Sequence, residues 1–368
     1  MMTQEKINAI KDLVVCSYYN RTPDPTKYSS EDVKATLRDE IHAIASDYNS
    51  YRRNKQDLFE ILQEAYTEVF PKQVEQFMGS FAEIRQVPLN QKAQFKVKRG
   101  RRRAKQFITD VALSGAYESF RLDVDTFEVG GQAIGGTAYI DFERYLCGDE
   151  DIAEATEILL EGLQERIYEK ITKALMASVN ADGRPTANKV ITAGFDPDEM
   201  YRLCRVASSY GDSAIIYTTP EFVAAMGPEA IGMPMVWPVG GTATGVATPV
   251  YNPRNIEEIA QYGRIKTFRG YPIVELPQSF TDENNDVTVV NPAFAYIFPN
   301  GKEKPVKVVF EGNTQVDDWQ HRDRSFEIEV YQRVGVAILT TNDWCIYVNS
   351  DLADTDVYPT KYPFDVNG

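Results

Sequence analysis

The stretch DEDIAEATEILLEGLQERIYEKITKALMASV, Asp149–Val179, carries the strongest periodic pattern in the chain. Its apolar residues recur at intervals of four and its glutamates occupy the other side, which predicts one long amphipathic helix. The stripe consists of Leu159, Leu163, Ile167, Ile171, Leu175 and Val179, widened by Ile152, Ile158, Leu160 and Ala174. About 30 residues at about 1.5 Å each give a length of roughly 45 Å. A coiled-coil strand is the alternative interpretation, but heptads are not sustained, so we interpret this segment as a structural spine.

The composition describes an acidic chain that is large enough for two or three domains. It has 368 residues, 43% of them hydrophobic, and a net charge of −15 from 54 acids and 39 bases. This charge argues against wrapping nucleic acid directly. The four cysteines, Cys16, Cys147, Cys204 and Cys345, form no CxxC pair and indicate reduced thiols in the cytoplasm. We recognise no signal peptide and no membrane span in the sequence.

Residues 1–80 have a helical pattern with narrow apolar stripes. We predict helices over Gln4–Tyr18, from a cap at Ser29 or Ser30 to about Ser46, and over Arg53–Phe70, with Pro71 ending or kinking the third. Because such stripes cannot form a core of their own, we expect these helices to lie on something else, as an arm along neighbouring subunits.

The most concentrated charge in the chain lies in KVKRGRRRAK, Lys96–Lys105, which we call the basic tract. Seven of its ten residues are positive: Lys96, Lys98, Arg99, Arg101, Arg102, Arg103 and Lys105. Alternating apolar residues on both sides, among them Phe95, Phe120 and Phe127, predict an extended hairpin-like loop. The tip of such a loop can be simply solvated, can bind nucleic acid, or can contact another subunit. We favour the inter-subunit contact, because another copy of this acidic protein is an obvious partner.

The rest of the chain alternates strands and helices. We expect the glycines at 130–136 to form a turn, residues 190–300 to form a mixed α/β domain, and Asp196 and Thr219 to cap helices. Three strands follow, in VKVVFE, SFEIEVYQRVGVAIL and WCIYVN, and the spine helix should pack on the second of these, around Phe326–Leu339.

The sequence offers no recognisable catalytic or metal-binding constellation. The two histidines, His42 and His321, lack partners at metal-binding spacing, and a charged surface loop is the favoured interpretation of His321. The runs GGQAIGG and GGTATG fit turns better than phosphate-binding loops. We therefore predict no catalytic residue, no metal and no cofactor.

The order of segments in the C-terminal third resembles the major capsid proteins of tailed phages, which have the Hong Kong 97 fold. The resemblance rests on IYTTPEFVAAMG, GRIKTFRGYPIVELPQS with its Gly270-Tyr271-Pro272-Ile273, NPAFAYIFPNG, and FEIEVYQRVGVAILTTNDWCIYVN with a turn at Arg333-Val334-Gly335. It implies an α+β fold of five parts: a helical N-terminal arm (1–93), an extended E-loop (94–137), a peripheral domain with the spine helix (138–190), an axial domain (191–300), and peripheral return strands with the C-terminal tail (301–368).

The resemblance implies a shell subunit that assembles with itself into the hexamers and pentamers of an icosahedral phage head. The head would enclose double-stranded DNA without sequence-specific binding, with scaffold, portal and decoration proteins as further partners and no membrane. Such a protein is assembled in the host cytoplasm and ends in the virion. An encapsulin-type bacterial compartment is the alternative function, and an acidic cytosolic enzyme is an alternative from a different class.

Overall fold

The computed structural model describes residues 4–19, 29–97, 125–179, 185–227, 230, 232–235, 248–251, 253–278, 280, 288–301, 304–322, 325–339 and 343–352. The chain divides into two compact units. Unit 1 contains residues 1–170 and 307–337, and unit 2 contains residues 171–306 and 338–368.

The described helices are α1 (Gln4–Tyr18), α2 (Ser30–Ile44), α3 (Tyr48–Met78), α4 (Phe142–Cys147), α5 (Ile152–Val179), α6 (Pro197–Ser208), α7 (Pro220–Ala225) and α8 (Pro253–Tyr262).

The described strands are β1 (Ala82–Val87), β2 (Ala93–Val97), β3 (Asp125–Val129), β4 (Gln132–Ile140), β5 (Lys189–Thr192), β6 (Ser213–Thr218), β7 (Gly232–Met235), β8 (Thr248–Tyr251), β9 (Thr267–Phe268), β10 (Tyr271–Glu275), β11 (Phe294–Asn300), β12 (Val306–Gln320), β13 (Phe326–Ile338) and β14 (Cys345–Asn349). They form a four-stranded sheet in the order β1-β12-β13-β4, a six-stranded sheet in the order β5-β14-β11-β6-β10-β9, and the pairs β2-β3 and β7-β8. This mixture of segregated helices and largely antiparallel sheets confirms the α+β class.

The predicted spine is one uninterrupted helix, α5, of 28 residues. It begins at Ile152 because Asp151 caps it, accepting a hydrogen bond from the Ala153 amide at 2.9 Å. The predicted stripe is buried at Leu163, Ile167, Ile171, Leu175 and Val179. Ile158 is an exception: we assigned it to the stripe, but its side chain is 60% exposed. It lies one position before Leu159, which is itself only partly buried, on the margin of the stripe.

The N-terminal helices begin where the capping residues predicted. Ser29 and Asp32 form a reciprocal capping box at the start of α2. The third helix differs from the prediction, because it begins at Tyr48 and continues through Pro71 to Met78. A proline inside a helix removes a backbone hydrogen bond, but Val74 and Met78 beyond it are fully buried, and this burial offsets the lost bond.

The apolar stripe of α3 packs against the sheet of its own chain. Tyr51 stacks on Phe326 of β13 with ring centroids 4.9 Å apart, and Phe70 meets Phe310 of β12 edge-on at 6.0 Å. We expected the N-terminal helices to lie along neighbouring subunits; for α3 the missing partner is the four-stranded sheet, so its apolar stripe is already covered within the subunit.

One face of the four-stranded sheet is apolar, as the alternation in β13 predicted. Phe326, Ile328, Val330 and Val334 are buried, and the residues of the other face are of intermediate burial. Gln332 is a polar exception on the buried face, where its side chain accepts from the Thr314 hydroxyl and donates to the Glu311 carbonyl. On the neighbouring strand β4, a Cβ at Gly136 would lie 3.2 Å from the Leu159 Cδ2 atom of the spine. The contact observed for the spine is therefore with β4, the strand paired to Phe326–Val334.

The glycine-rich run GGQAIGG forms most of a strand and not only the turn that we expected. Residues 132–140 pair with β13 in an antiparallel ladder from Gln132 opposite Val334 to Ile140 opposite Phe326. A Cβ at Gly135 would lie 2.7 Å from the Cβ of Tyr331. Close packing between strands, and not a bound phosphate, explains this glycine.

In unit 2, residues 189–300 form the mixed structure that the sequence predicted, with Asp196 capping α6 and Thr219 capping α7. The sheet is completed by β14, which pairs parallel with β5 and antiparallel with β11. The sequence interpretation grouped β14 with the peripheral return strands, whereas here it joins the strands of residues 189–300.

The fold predicts a sharp difference between two identical substitutions on the spine helix. Ile167→Asp places a carboxylate at a fully buried position and should lower the free energy of unfolding by about 3–5 kcal/mol. Ile158→Asp, at an exposed position of the same helix, should change it by no more than about 0.5 kcal/mol. Urea denaturation of both variants measures the difference, and equal effects would contradict the assigned buried face.

Candidate assembly interface

The basic tract begins on a two-stranded ladder. Strands β2 and β3 are antiparallel, with Ala93 opposite Val129, Phe95 opposite Phe127 and Val97 opposite Asp125. The base of the predicted hairpin-like loop is therefore confirmed, and residues 98–124 connect two points that are neighbours in this ladder.

The structure locates one of the seven predicted contact residues. Lys96 is an exposed residue of β2, opposite Thr126 of β3. The other six, Lys98, Arg99, Arg101, Arg102, Arg103 and Lys105, lie outside the described residues. Their role in subunit contact stays a prediction.

The base of the hairpin is held by an aromatic ring that two cations contact, and we call Glu83, Arg85, Phe95 and Lys307 the root cluster. Phe95 is fully buried and stacks on Phe127 with a centroid distance of 5.4 Å. The Arg85 guanidinium lies 4.4 Å from the centre of the Phe95 ring, and the Lys307 ammonium lies 5.4 Å from it. Cation–π attraction of this kind is strongest where water is excluded.

Lys307 is a lysine with no exposed surface, and its ammonium group forms an ion pair with the Glu83 carboxylate. Arg85 also donates to Glu83, with its Nε 2.8 Å from Oε1. Burial alone would raise the pKa of Glu83, but the hydrogen bonds and charges of Lys307 and Arg85 outweigh it and lower this pKa below its usual value. The cluster thus connects β1, β2 and β12 through charges that cannot be left unpaired.

A second polar network attaches the turn between β1 and β2. The Asn90 amide donates to Glu311 Oε1 at 2.8 Å, and Arg333 Nη1 donates to Asn90 Oδ1 at 3.4 Å. Asn90 has a positive φ of 64°, which asparagine adopts more readily than most residues.

Arg333-Val334-Gly335 does not form the turn that we expected from the resemblance. These residues lie inside the continuous strand β13. A Cβ at Gly335 would lie 2.7 Å from the carbonyl oxygen of Gly130, so the glycine permits the close approach of the segment after β3.

Unit 1 also exposes aromatic side chains at one end of the four-stranded sheet. Trp319 is 61% exposed and Tyr139 is 56% exposed. The Trp319 indole donates to Glu329 at 3.0 Å, and His321 contacts Glu327 at 3.1 Å and lies 6.1 Å from the Tyr139 ring. Exposed aromatic residues of this kind are enriched where proteins contact one another.

Each of the two histidines contacts a neighbouring side chain of the fold. His42 stacks on Tyr145 at 5.4 Å. The carboxylate beside His321 belongs to Glu327, and the nearby Asp318 forms an ion pair with Lys55 at 3.1 Å. Within the described ranges, no group of three or more His, Cys, Asp or Glu side chains could hold a metal ion. Among the described helices, none combines the length and apolarity that crossing a membrane requires.

Comparison with known proteins identifies the class of this chain. The model of the family described as "SPbeta prophage-derived putative capsid protein YonB" matches residues 9–347. The chain belongs to this family. The resemblance to phage capsid proteins is therefore confirmed at the level of the family.

Solved structures with similarity to the chain include shells from phages and from microbial cells. The virus-like particle of Pyrococcus furiosus matches at 12% identity and a TM-score of 0.40, covering 77% of this chain and 99% of the other. The encapsulin complex of Synechococcus elongatus matches at 13% and 0.40, covering 76% and 89%. The mature capsid of bacteriophage PhiM1 matches at 10% and 0.47, covering 75% and 87%. At TM-scores below 0.5, these similarities alone decide neither fold nor function. Among curated proteins, none matches this chain.

The root cluster predicts an asymmetry between its two ionic partners. Glu83→Gln leaves the buried Lys307 without its carboxylate partner and should lower the free energy of unfolding by about 3 kcal/mol. This value lies at the lower end of the range for a broken buried ion pair, because Glu83 is partly exposed. Adding Lys307→Met to Glu83→Gln should recover part of this loss, because no charge is then buried. Chemical denaturation of the single and double variants measures both effects; a double variant no more stable than Glu83→Gln would contradict the assignment.

The lowered pKa of Glu83 also predicts the direction of a pH effect. A carboxyl group whose pKa is lower in the folded than in the unfolded state stabilises the fold above the unfolded pKa, and this contribution disappears as the pH falls through the folded pKa. The stability difference between the native chain and Glu83→Gln should therefore be largest near neutral pH and shrink in acid. A difference that does not depend on pH would show that the charge of Glu83 contributes nothing.

Proposed function

We propose that this protein is the major capsid protein of a tailed phage, with a subunit of the Hong Kong 97 type. Copies assemble into hexamers and pentamers of an icosahedral head that encloses double-stranded DNA. The family match over residues 9–347 carries the class of protein. The geometry that best supports self-assembly is the β2–β3 ladder, because it leads from a tightly packed root to a strongly basic tract in an acidic chain.

The basic tract acts in this proposal as a clamp between subunits, through Lys96, Lys98, Arg99, Arg101, Arg102, Arg103 and Lys105. Seven positive charges in ten residues repel one another, so the tract is favoured in water or against acids. Each copy has a net charge of −15, and therefore offers many carboxylates. Arginine forms forked bonds with a carboxylate, which lysine cannot. Each partly exposed pair contributes only about 0–1 kcal/mol, but the shell repeats the contact at every interface.

Each region of the chain has a role in the proposed capsid subunit. Residues 94–137 are the E-loop, and residues 138–190 and 301–337 contribute to the peripheral domain with the spine. Residues 191–300 are the axial domain, whose sheet β14 completes. Residues 1–93 are the N-terminal helical region, whose third helix stabilises the subunit itself. The exposed Trp319 and Tyr139 give the four-stranded sheet a surface suited to a protein contact.

The other partners follow from the same proposal. A scaffold protein and a portal protein take part in assembly in the host cytoplasm. Decoration proteins bind to the outside of the finished virion, and DNA is enclosed without sequence-specific binding. A net negative shell protein suits this last role, because it does not trap the packaged DNA on its surface. No step requires a cofactor or a catalytic residue.

Sedimentation velocity tests the assembly claim on the purified full-length chain, alone and with a co-expressed scaffold protein. We expect large closed particles in at least one of the two conditions, in equilibrium with small capsomers or monomers. A chain that remains monomeric at high concentration in both conditions would contradict the proposal. Enclosed enzyme cargo, in place of nuclease-protected DNA in particles from phage-producing cells, would favour the encapsulin-type alternative.

A charge reversal tests the clamp. Changing Arg101, Arg102 and Arg103 together to Glu should leave the subunit folded and prevent or weaken assembly, because the tract would then repel the carboxylates of its neighbour. The matched control changes the same three residues to Lys, which keeps the charge and loses only the forked bonds, so its effect should be milder. Circular dichroism checks the fold, and sedimentation measures the assembly.

Two other results for the triple Glu variant would contradict the clamp. If the triple Glu variant assembles as the native chain does and its particles only lose DNA, the tract binds nucleic acid. If it assembles normally and retains DNA, the tract is a solvated tip.

A further inference from the structure

Helix α6 borders an open groove in unit 2. The groove has a volume of about 510 Å³ and is lined by Asp198, Tyr201, Arg202, Arg205, Val206 and Ser209. Arg205 is exposed, and Arg202 is partly exposed while paired with Glu199 at 2.7 Å. The groove therefore presents guanidinium groups beside an aromatic ring, which suits a ligand with carboxylates and apolar side chains.

A third arginine lies behind the groove. The Arg269 side chain is only 7% exposed, and its Nη1 bonds with Asp198 at 2.9 Å. Its guanidinium lies 5.5 Å from the Tyr201 ring, so it contacts two of the groove-lining residues. The buried Nε of Arg269 has no hydrogen-bond partner among the described residues.

The charges of this region do not balance. Among the residues that line the groove, Asp198 is acidic and Arg202 and Arg205 are basic, so the lining has one surplus positive charge. The groove thus favours an acidic occupant.

The last described residues of the chain lie beside the start of α6. The Asp196 amide, at the N-cap of α6, donates to the Tyr347 hydroxyl at 2.6 Å. Ser350 Oγ donates to the Thr192 carbonyl at 3.1 Å, and a Cβ at Gly194 would lie 3.5 Å from the Asp351 Oδ2 atom. The last described segment, Ser350–Leu352, therefore lies beside the loop that leads into α6.

We propose that the C-terminal tail, residues 353–368 of the same chain, binds in this groove. The tail reads ADTDVYPTKYPFDVNG and combines three aspartates with one lysine and three aromatic residues. Its charge and its aromatic content complement the arginines and Tyr201. The twelve residues of α6 span roughly 18 Å, a distance that about six extended residues cover, so the tail reaches every part of the groove in cis. This inference stands independently of the proposed capsid function.

Arginine-specific labelling with phenylglyoxal, followed by peptide mass spectrometry, tests the proposal. Three purified proteins are compared: the native chain, a chain truncated after Leu352, and a full-length variant with Asp354→Lys, Asp356→Lys and Asp365→Lys. We expect Arg205 to be labelled about tenfold more slowly in the native chain than in the truncated chain, which corresponds to about 1.4 kcal/mol of tail binding. The triple Lys variant should label as fast as the truncated chain. Arg52, an exposed arginine of α3 in unit 1, is the control and should label equally in all three.

Other outcomes overturn the proposal in distinct ways. Equal labelling of Arg205 in all three proteins means that the tail does not occupy the groove. Protection of Arg205 that disappears on dilution of the native chain means that the occupant is a second copy and not the tail in cis. Protection that survives in the triple Lys variant means that the aspartates do not hold the tail. If the truncated chain fails to fold, the full-length triple Lys variant still decides between these results.

Discussion

The subunit depends on a four-stranded sheet that α3 covers on one face, while the β2–β3 hairpin covers the other face along β12. The buried residues of β13 require a cover, and α3 supplies it through Tyr51 and Phe70, while the spine helix approaches β4 at Gly136. Antiparallel sheets commonly have one packed face and one face open to solvent. In this subunit the open part of the sheet, near Trp319, carries carboxylates and exposed aromatic rings. The same constraint that builds the core therefore leaves a surface that a further copy of the chain can use.

The root cluster connects this core to the hairpin that carries the basic tract. Lys307 lies on β12 between buried core residues. The positive charge of Lys307 is paired with the Glu83 carboxylate on β1. A buried ion pair is weak evidence for net stability, since desolvation opposes its Coulomb energy, but breaking it is costly. We infer that its value here lies in geometry: the pair holds Arg85 and Lys307 next to the Phe95 ring, and these contacts fix the base of the hairpin on the sheet.

Much of the fold could be predicted from the sequence, because local patterns decide it. The spacing of four residues between apolar side chains predicted the spine helix, and the alternation in β13 predicted the buried face of that strand. Ser29 and Asp196 marked the starts of two helices. Other features depend on tertiary contacts that one sequence does not display. Burial of Met78 lets a helix continue through Pro71, and strand packing explains Gly135. For the site, the hairpin was predictable from alternation around the basic tract. The buried role of Lys307 was not, although a lysine within VKVVFE was a visible signal.

The central claim is that subunits of this kind close into a shell, with the basic tract of one copy against the carboxylates of another. Cryo-electron microscopy of particles formed by the full-length chain tests it most directly. The account predicts a closed icosahedral shell with both fivefold and sixfold capsomers, in which density for Lys96–Lys105 leaves the β2–β3 ladder and contacts acidic side chains of a neighbouring subunit. A shell in which this tract contacts only solvent or enclosed DNA would contradict the proposed contact, and a chain that forms no shell would contradict the function.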